Sequence, residues 1–374
     1  MKLVVPKKNL LRLLQRCQGV ADKKSTMPVL ANVLISARDN LVEVAATDLY
    51  ISVRGSTEAE VEREGAVAIP ARDVFNRVKH MPEGPIEIDV TDGSTTIIKS
   101  GSSARRYTLH GLPGADFPKL PIPNDEGIKL DLPINTLQQL IARTHFSISH
   151  DETRAHLNSA LFECGDGVVR MVTTDGHRLS KMEIPVEKLS GSTTMLVPLK
   201  AVMELRKLTD EVTENRETTV IRVSQAGPNA FFDLCGVQFS VKLIDAQFPP
   251  YEAVIPATTD RAVRTSRSAL ADALKAVSLA ANERTGGVKL SVVDNSLRIS
   301  SESPESGNGY DQVPVDYDGP EISVGFNAHY LLDVLQSIDD DDVTLGLSGE
   351  LDPAVVRPAS EHDDYIAVVM PMRI

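Results

Sequence analysis

Near the start of the chain, Leu10, Leu13, Leu14 and Cys17 fall at helical spacing, while Lys8, Arg12 and Arg16 recur every four residues on a different face. The spacing predicts an amphipathic helix over residues 6–20 with a basic polar side. Apolar runs at 32–36 and 41–44 flank Arg38-Asp39-Asn40, which predicts a hairpin, and a turn and further strand follow over 46–53. A short strand at 67–70 leads into a second helix over 71–80. Strands at 86–90, 95–99 and 106–109 then carry the chain to a Phe117-Pro118 turn.

The same order of events occurs three times. Pro133 to Leu140 echoes Pro6 to Leu13, and Ser266 to Leu274 echoes both. The hairpins recur over 160–173 and 288–300. The second helix recurs after Val197-Pro198 and, without a proline, after Val324-Gly325-Phe326-Asn327. Closing strands recur around Tyr107, Phe239 and Tyr365. Asp48 and Asp175 are 127 positions apart, Pro70 and Pro198 are 128 apart, and Pro198 and Gly325 are again 127 apart. That period far exceeds a solenoid unit, so each copy is expected to hold its own mixed helix-and-strand core. Proline-rich links at 120–123 and 255–257 place the domains at residues 1–122, 128–255 and 257–374.

With 42% hydrophobic and 24% charged residues, the 374-residue chain has the composition of a soluble multidomain protein. Neither a signal-peptide pattern at the start nor an 18-residue apolar run is present, which predicts a cytoplasmic protein without a membrane span. Cys17, Cys164 and Cys235 are far apart and show no CxxC pairing, so they are expected to be small core residues. A net charge of −13 argues against indiscriminate coating of nucleic acid, although a locally basic surface remains compatible with it.

The last seven residues, Val368-Val369-Met370-Pro371-Met372-Arg373-Ile374, are unusually apolar for a terminus. They suit a final strand, a wall of a docking groove, or both. Together with the three tandem copies, the segment Thr174-Asp175-Gly176-His177-Arg178-Leu179, and the Gly111-Leu112-Pro113 and Asp116-Phe117-Pro118 turn, this ending resembles the bacterial sliding clamp family, the β subunits of the replicative DNA polymerase III. The resemblance covers the chain end to end. It implies an α+β clamp fold, with two helices packed on antiparallel sheet in each domain, and a head-to-tail homodimeric ring with helices lining the hole.

Such a ring can be acidic outside while its inner helices present cations to duplex phosphates, without reading sequence. The candidates are Lys8, Arg12, Arg16, Lys23, Lys24, Arg72, Arg77 and Lys79 in the first copy. The second copy adds Arg143, Arg154, Lys200, Arg206 and Lys207. In the first helix Lys7, Lys8, Arg12 and Arg16 are expected to face no acidic neighbour. The resemblance also implies a groove that takes short, partly apolar peptides of the polymerase, the clamp loader and other clamp-binding-motif proteins. It would be lined by Leu157, Thr174, Gly176, His177, Arg178, Leu179, Pro249, Val254, Val368, Val369, Met370, Pro371, Met372 and Arg373. The methionines are adaptable, Gly176 permits a tight bend, and Arg178 and Arg373 offer donors to a peptide.

The implied dimer seam sets Tyr107 and Leu109 against Leu279 and Ala280, with Arg105 or Arg106 facing Glu302 and Glu305. Ala280 is small for that role, which predicts a weaker ring. No cofactor or metal is implied. A metal-dependent hydrolase would need converging ligands, and the five- and six-residue spacings of His145, His150 and His156 do not supply them, nor is there an HExxH or GxSxG motif. Asp175 is better explained as a turn residue that binds backbone N–H groups. A scaffold that does not bind DNA is the other alternative, and the basic first helix argues against it.

Overall fold

Alternation at the start of the chain builds a strand ahead of the first helix. In the computed structural model, which describes all residues except 93, 125–128, 187–191, 215–218, 305 and 361–363, Lys2–Pro6 is a strand with Leu3 and Val5 fully buried. The described residues include six α-helices: α1 (Lys7–Cys17), α2 (Ala71–Lys79), α3 (Ile134–Thr144), α4 (Leu199–Glu214), α5 (Arg267–Ser278) and α6 (Ala328–Ser337). Strands Lys129–Pro133 and Arg261–Ser266 run into α3 and α5 just as Lys2–Pro6 runs into α1. These three strands were not expected, because five or six residues joined to a helix without turn chemistry carry too short a period-two signal.

The helix starts differ in a way the sequence explains. Pro6 and Pro70 immediately precede α1 and α2, with φ already near the helical value. Where the third copy lacks that proline, Asn327 caps α6 by accepting the His329 N–H at 2.9 Å. Inward, α1 contributes Leu10, Leu13 and Leu14, and α2 contributes Ala71, Val74 and Val78; the two helices pack together.

Among the described residues, all strand pairings are antiparallel and form sheets of five, nine and twelve strands. The chain divides into two compact units, Met1–Asn135 with Met203–Leu243 and Thr136–Val202 with Ile244–Ile374. The five- and nine-stranded sheets lie in the first unit and the twelve-stranded sheet in the second.

The closing strands pair one copy back. Val237–Lys242 joins Ile51–Glu58, with Val241 opposite Ile51. Tyr365–Val369 joins Arg178–Pro185 in the same register, with Val369 opposite Arg178. Among the described residues, Arg106–His110, the first closing strand, pairs only with Thr95–Ser100 and ends its sheet. Gly307–Asp316 is the third-copy counterpart of Ile51–Glu58 and Arg178–Pro185. It pairs with Ser296–Ser303, and reaches Arg261–Ser266 only through Val315 and Asp316. Among the described residues, each of these two strands therefore keeps an open edge.

Candidate functional site

The turn before Arg178 is held by its own side chains. Thr174 Oγ1 donates to the Arg178 carbonyl at 2.7 Å and accepts the Gly176 N–H at 3.1 Å. Asp175 Oδ1 accepts the N–H groups of His177 and Arg178 at 2.8 and 3.0 Å, which is the turn role expected of it. Gly176 has φ +91°, a conformation that a side chain would strain.

From this turn the strand pairs with the C-terminal strand, placing Leu179 opposite Val368. Both are buried and share a cluster with Leu161, Val172, Leu196, Phe248 and Tyr251. Beyond the strand, the Met370 N–H donates to the His177 carbonyl and the Met372 N–H to the Gly325 carbonyl, both at 2.9 Å. The tail is thus laid between the turn and strand Ile322–Asn327. His177, Val254, Met370 and Arg373 are exposed, and Thr174, Pro249, Pro371 and Met372 are half-buried. Leu157 is buried at 7% exposure.

Two of the expected lining residues face elsewhere. Val369 is fully buried outside the cluster that holds Val368, because strand alternation turns the two side chains to opposite faces. Arg178, expected as a donor to a peptide, is occupied by the protein itself. Its guanidinium lies 3.1 Å from Asp175 and 2.6 Å from Asp333, donates to the Phe146 carbonyl at 2.5 Å, and sits 4.4 Å from the Tyr330 ring centroid. A planar cation saturated in this way locks the turn to α6 and has little left to offer a ligand.

Tyr330 and Asp333 are residues the sequence reading missed. They lie three apart on α6 and so share a face, a spacing visible in the sequence but pointing nowhere without the distant Arg178. Tyr330 also stacks on His177 with ring centroids 6.4 Å apart. Burial, followed by the Asp175 carboxylate, pushes its phenol above the usual range.

The cations divide into exposed and structural sets. Lys8, Lys23, Lys24, Arg72, Lys79 and Lys200 are exposed, as is Lys207, whose ammonium is 2.6 Å from Glu204. Arg12 and Arg206 are half-buried; Arg77 lies 3.3 Å from Asp73 and Arg154 2.9 Å from Asp151. Arg16, at 9% exposure, is instead paired with Glu211 at 3.0 Å. Arg143, at 7%, reaches Asp339 at 3.2 Å and lies over the Tyr365 ring. Lys7 is also paired, 2.8 Å from Glu83. The expectation that the α1 cations face no acid therefore fails at Lys7 and Arg16, because the acids come from segments far along the chain.

At the open edges, Tyr107 is half-buried and Leu109 buried, whereas Leu279 is 83% exposed just past α5. Ala280, expected beside it at the seam, is buried against Gly309, so it packs inside its own unit. Tyr310, which sequence reasoning missed, is exposed on the edge strand next to Gly309. Glu302 is exposed, and Glu305 lies outside the described residues.

Residues 1–121, 131–250 and 252–373 match, in that order, the N-terminal, central and C-terminal domains of the DNA polymerase III beta subunit. The chain belongs to the DNA polymerase III beta subunit family. Beta sliding clamps of Salmonella typhimurium and Escherichia coli are 33% and 32% identical to it, each aligned over the whole of both chains. Among solved structures, a sliding clamp from Pseudomonas aeruginosa with a ligand superposes with a TM-score of 0.93 at 31% identity, and one from Bartonella birtlesii bound to griselimycin with 0.93 at 33%; both cover all of each chain. The fold is therefore the clamp fold with three tandem domains. Members of the DNA polymerase III beta subunit family are processivity factors rather than enzymes, which accounts for a site made of apolar walls and self-satisfied ion pairs. Among the described residues, no helix is long and apolar enough to cross a membrane.

Proposed function

We propose that this chain, a DNA sliding clamp for a DNA polymerase, works as a head-to-tail homodimer that encircles duplex DNA and captures partner peptides at the turn that meets the C-terminal strand. The observation that carries the reading is the pairing of closing strands one copy back. It leaves Arg106–His110 and Gly307–Asp316 each with an open edge. Two protomers arranged head to tail satisfy both edges twice and close, as heterologous contacts do when their rotation completes a circle. Leu279 and Tyr310 are the exposed apolar side chains beside one edge, and Tyr107 lies on the other.

A closed ring tethers without gripping. It converts rebinding of a polymerase from a search through solution into a local event. Exposed Lys8, Lys23, Lys24, Arg72 and Lys79 supply salt-dependent, sequence-independent contacts to phosphate, while Arg16 and Arg143 serve the packing of their own units. For partner peptides, Leu179 and Val368 form the floor, with Pro249, Val254, Met370 and Met372 as walls. Threading onto circular DNA requires an opening factor, an ATP-driven clamp loader that competes with the polymerase for the same groove.

The deciding experiment loads the protein with its loader on nicked circular DNA and then linearises the circle. A topological clamp stays on the circle through gel filtration and slides off the linear form. Equal retention on both forms would show simple binding and sink the ring.

A further inference from the structure

A trough of the first unit lies away from the peptide groove and the open strand edges, and of its lining the sliding-clamp reading uses only Lys8. It is an open groove of about 810 Å³ between the start of α1, the hairpin tip at Asp39 and Asn40, and the Glu58–Glu60 bend. Val4, Pro6, Leu41 and Pro85 give it apolar surface, and Leu41 is 43% exposed there. A second trough of about 390 Å³ shares Val4, Asn40, Ala59 and Glu60 with it and continues along the first strand toward Lys2. The two together are elongated, as suits an extended chain rather than a compact ligand.

Charge decides the kind of occupant. Four carboxylates, Asp39, Glu58, Glu60 and Glu83, line the larger trough against two lysines. Lys7 is consumed by Glu83 and by the Met81 carbonyl, at 2.8 and 2.7 Å, and Asp39 lies 3.2 Å from Arg38. Glu58 and Glu60 have no ion-pair partner among the described residues, and both are exposed. Exposed Lys8 is then the cation that remains in the trough against these two carboxylates, so the trough joins exposed apolar surface to an excess of negative charge. We propose that it docks an extended peptide of a partner protein in which apolar residues alternate with lysine or arginine, the apolar side chains resting on Leu41 and Pro85 and the cations meeting Glu58 and Glu60.

The test uses the full-length protein and a fluorescein-labelled short peptide of alternating leucine and lysine, followed by fluorescence anisotropy. Saturable binding is expected, weakened about tenfold by Glu58→Lys with Glu60→Lys and similarly by Leu41→Asp. All three positions are exposed, so the thermal melt of each variant should match the parent. Deleting Met370–Ile374, which disables the groove proposed for polymerase peptides, should leave this affinity unchanged; that separates a failure here from a failure of the groove. The proposal is overturned if both variants bind like the parent, if a leucine–glutamate peptide binds equally well, or if the tail deletion abolishes binding. Displacement by spermidine at concentrations matching the peptide would make this a polyamine site and overturn it too.

Discussion

Arg178 shows how one residue changes role once its surroundings are known. In the sequence it stands as a donor beside a flexible turn, whereas in the fold it is 10% exposed and divided between two carboxylates. Removing it leaves Asp175, itself only 16% exposed, as an uncompensated charge. Arg178→Met is therefore expected to cost about 3 kcal/mol in urea unfolding. Asp333 is 39% exposed and shares its arginine with Asp175, so Asp333→Asn should cost only about 1 kcal/mol. Equal losses would show that the pair to α6, not the pair within the turn, dominates. Glu183 sets a pH dependence of the same unit. Burial raises its pKa, but hydrogen bonds from Lys181 and Arg170 outweigh burial and hold it below its ordinary value. A depressed carboxylate contributes stability that is present above its unfolded pKa and is lost as pH falls through the folded one. Glu183→Gln should therefore lower stability at neutral pH and flatten the acid limb below about pH 4.5; an unchanged acid limb would remove Glu183 from that role. Cysteine chemistry is equally local. Burial pushes the Cys17 and Cys164 thiols up to about 12, as core residues should behave, whereas Cys235 is exposed in a turn at φ +48°, against expectation.

At the scale of elements, the helices and hairpins were legible because each carries its own period. Leu10, Leu13 and Leu14 mark α1 without any knowledge of what they touch. The closing strands were legible as strands but not in their pairing, since nothing local to Phe239 says that Val241 sits opposite Ile51. That the 174–179 turn meets the C-terminal tail was legible, but the attachment of that turn to α6 was not, because Tyr330 and Asp333 acquire meaning only from Arg178. The tail itself supports a prediction. An added Cβ at Gly325 would fall against the Met372 carbonyl and 2.7 Å from Ile374, contacts that a displaced tail relieves. Gly325→Ala should release residues 371–374 while the strand through Val369 stays paired. The expected signature is faster amide exchange at Met372 with unchanged exchange at Val368, accompanied by weaker binding of polymerase peptides. Protection retained at Met372 would show that strand Ile322–Asn327 moves instead of the tail.

At the scale of the whole molecule, closure multiplies the effect of any change at the seam. A two-protomer ring contains the same seam twice, so a substitution acts on both at once and its free energy doubles in the dimer equilibrium. Leu279, at 83% against 62% for Tyr310, is the more exposed of the two apolar side chains beside the open edge of Gly307–Asp316, and its burial on closure is worth about 2 kcal/mol per seam. Leu279→Asp forfeits that twice, about 4 kcal/mol, and adds the cost of desolvating a carboxylate. The dimer should therefore dissociate at least about a thousandfold more readily. Since Leu279 is exposed within its own protomer, the monomer should keep its fold and its affinity for polymerase peptides. Sedimentation velocity from nanomolar to micromolar concentration separates the outcomes. A shift of the parent's dimer boundary to monomer, with peptide binding intact, fits a seam at this edge. A variant that stays dimeric across the range places the seam elsewhere, and the two open strands would then need another explanation. The opposite charge at the same position distinguishes packing from electrostatics. The chain carries −13 overall, so generic repulsion between protomers should be relieved by Leu279→Lys. If lost packing is what matters, the lysine variant dissociates about as readily as the aspartate one.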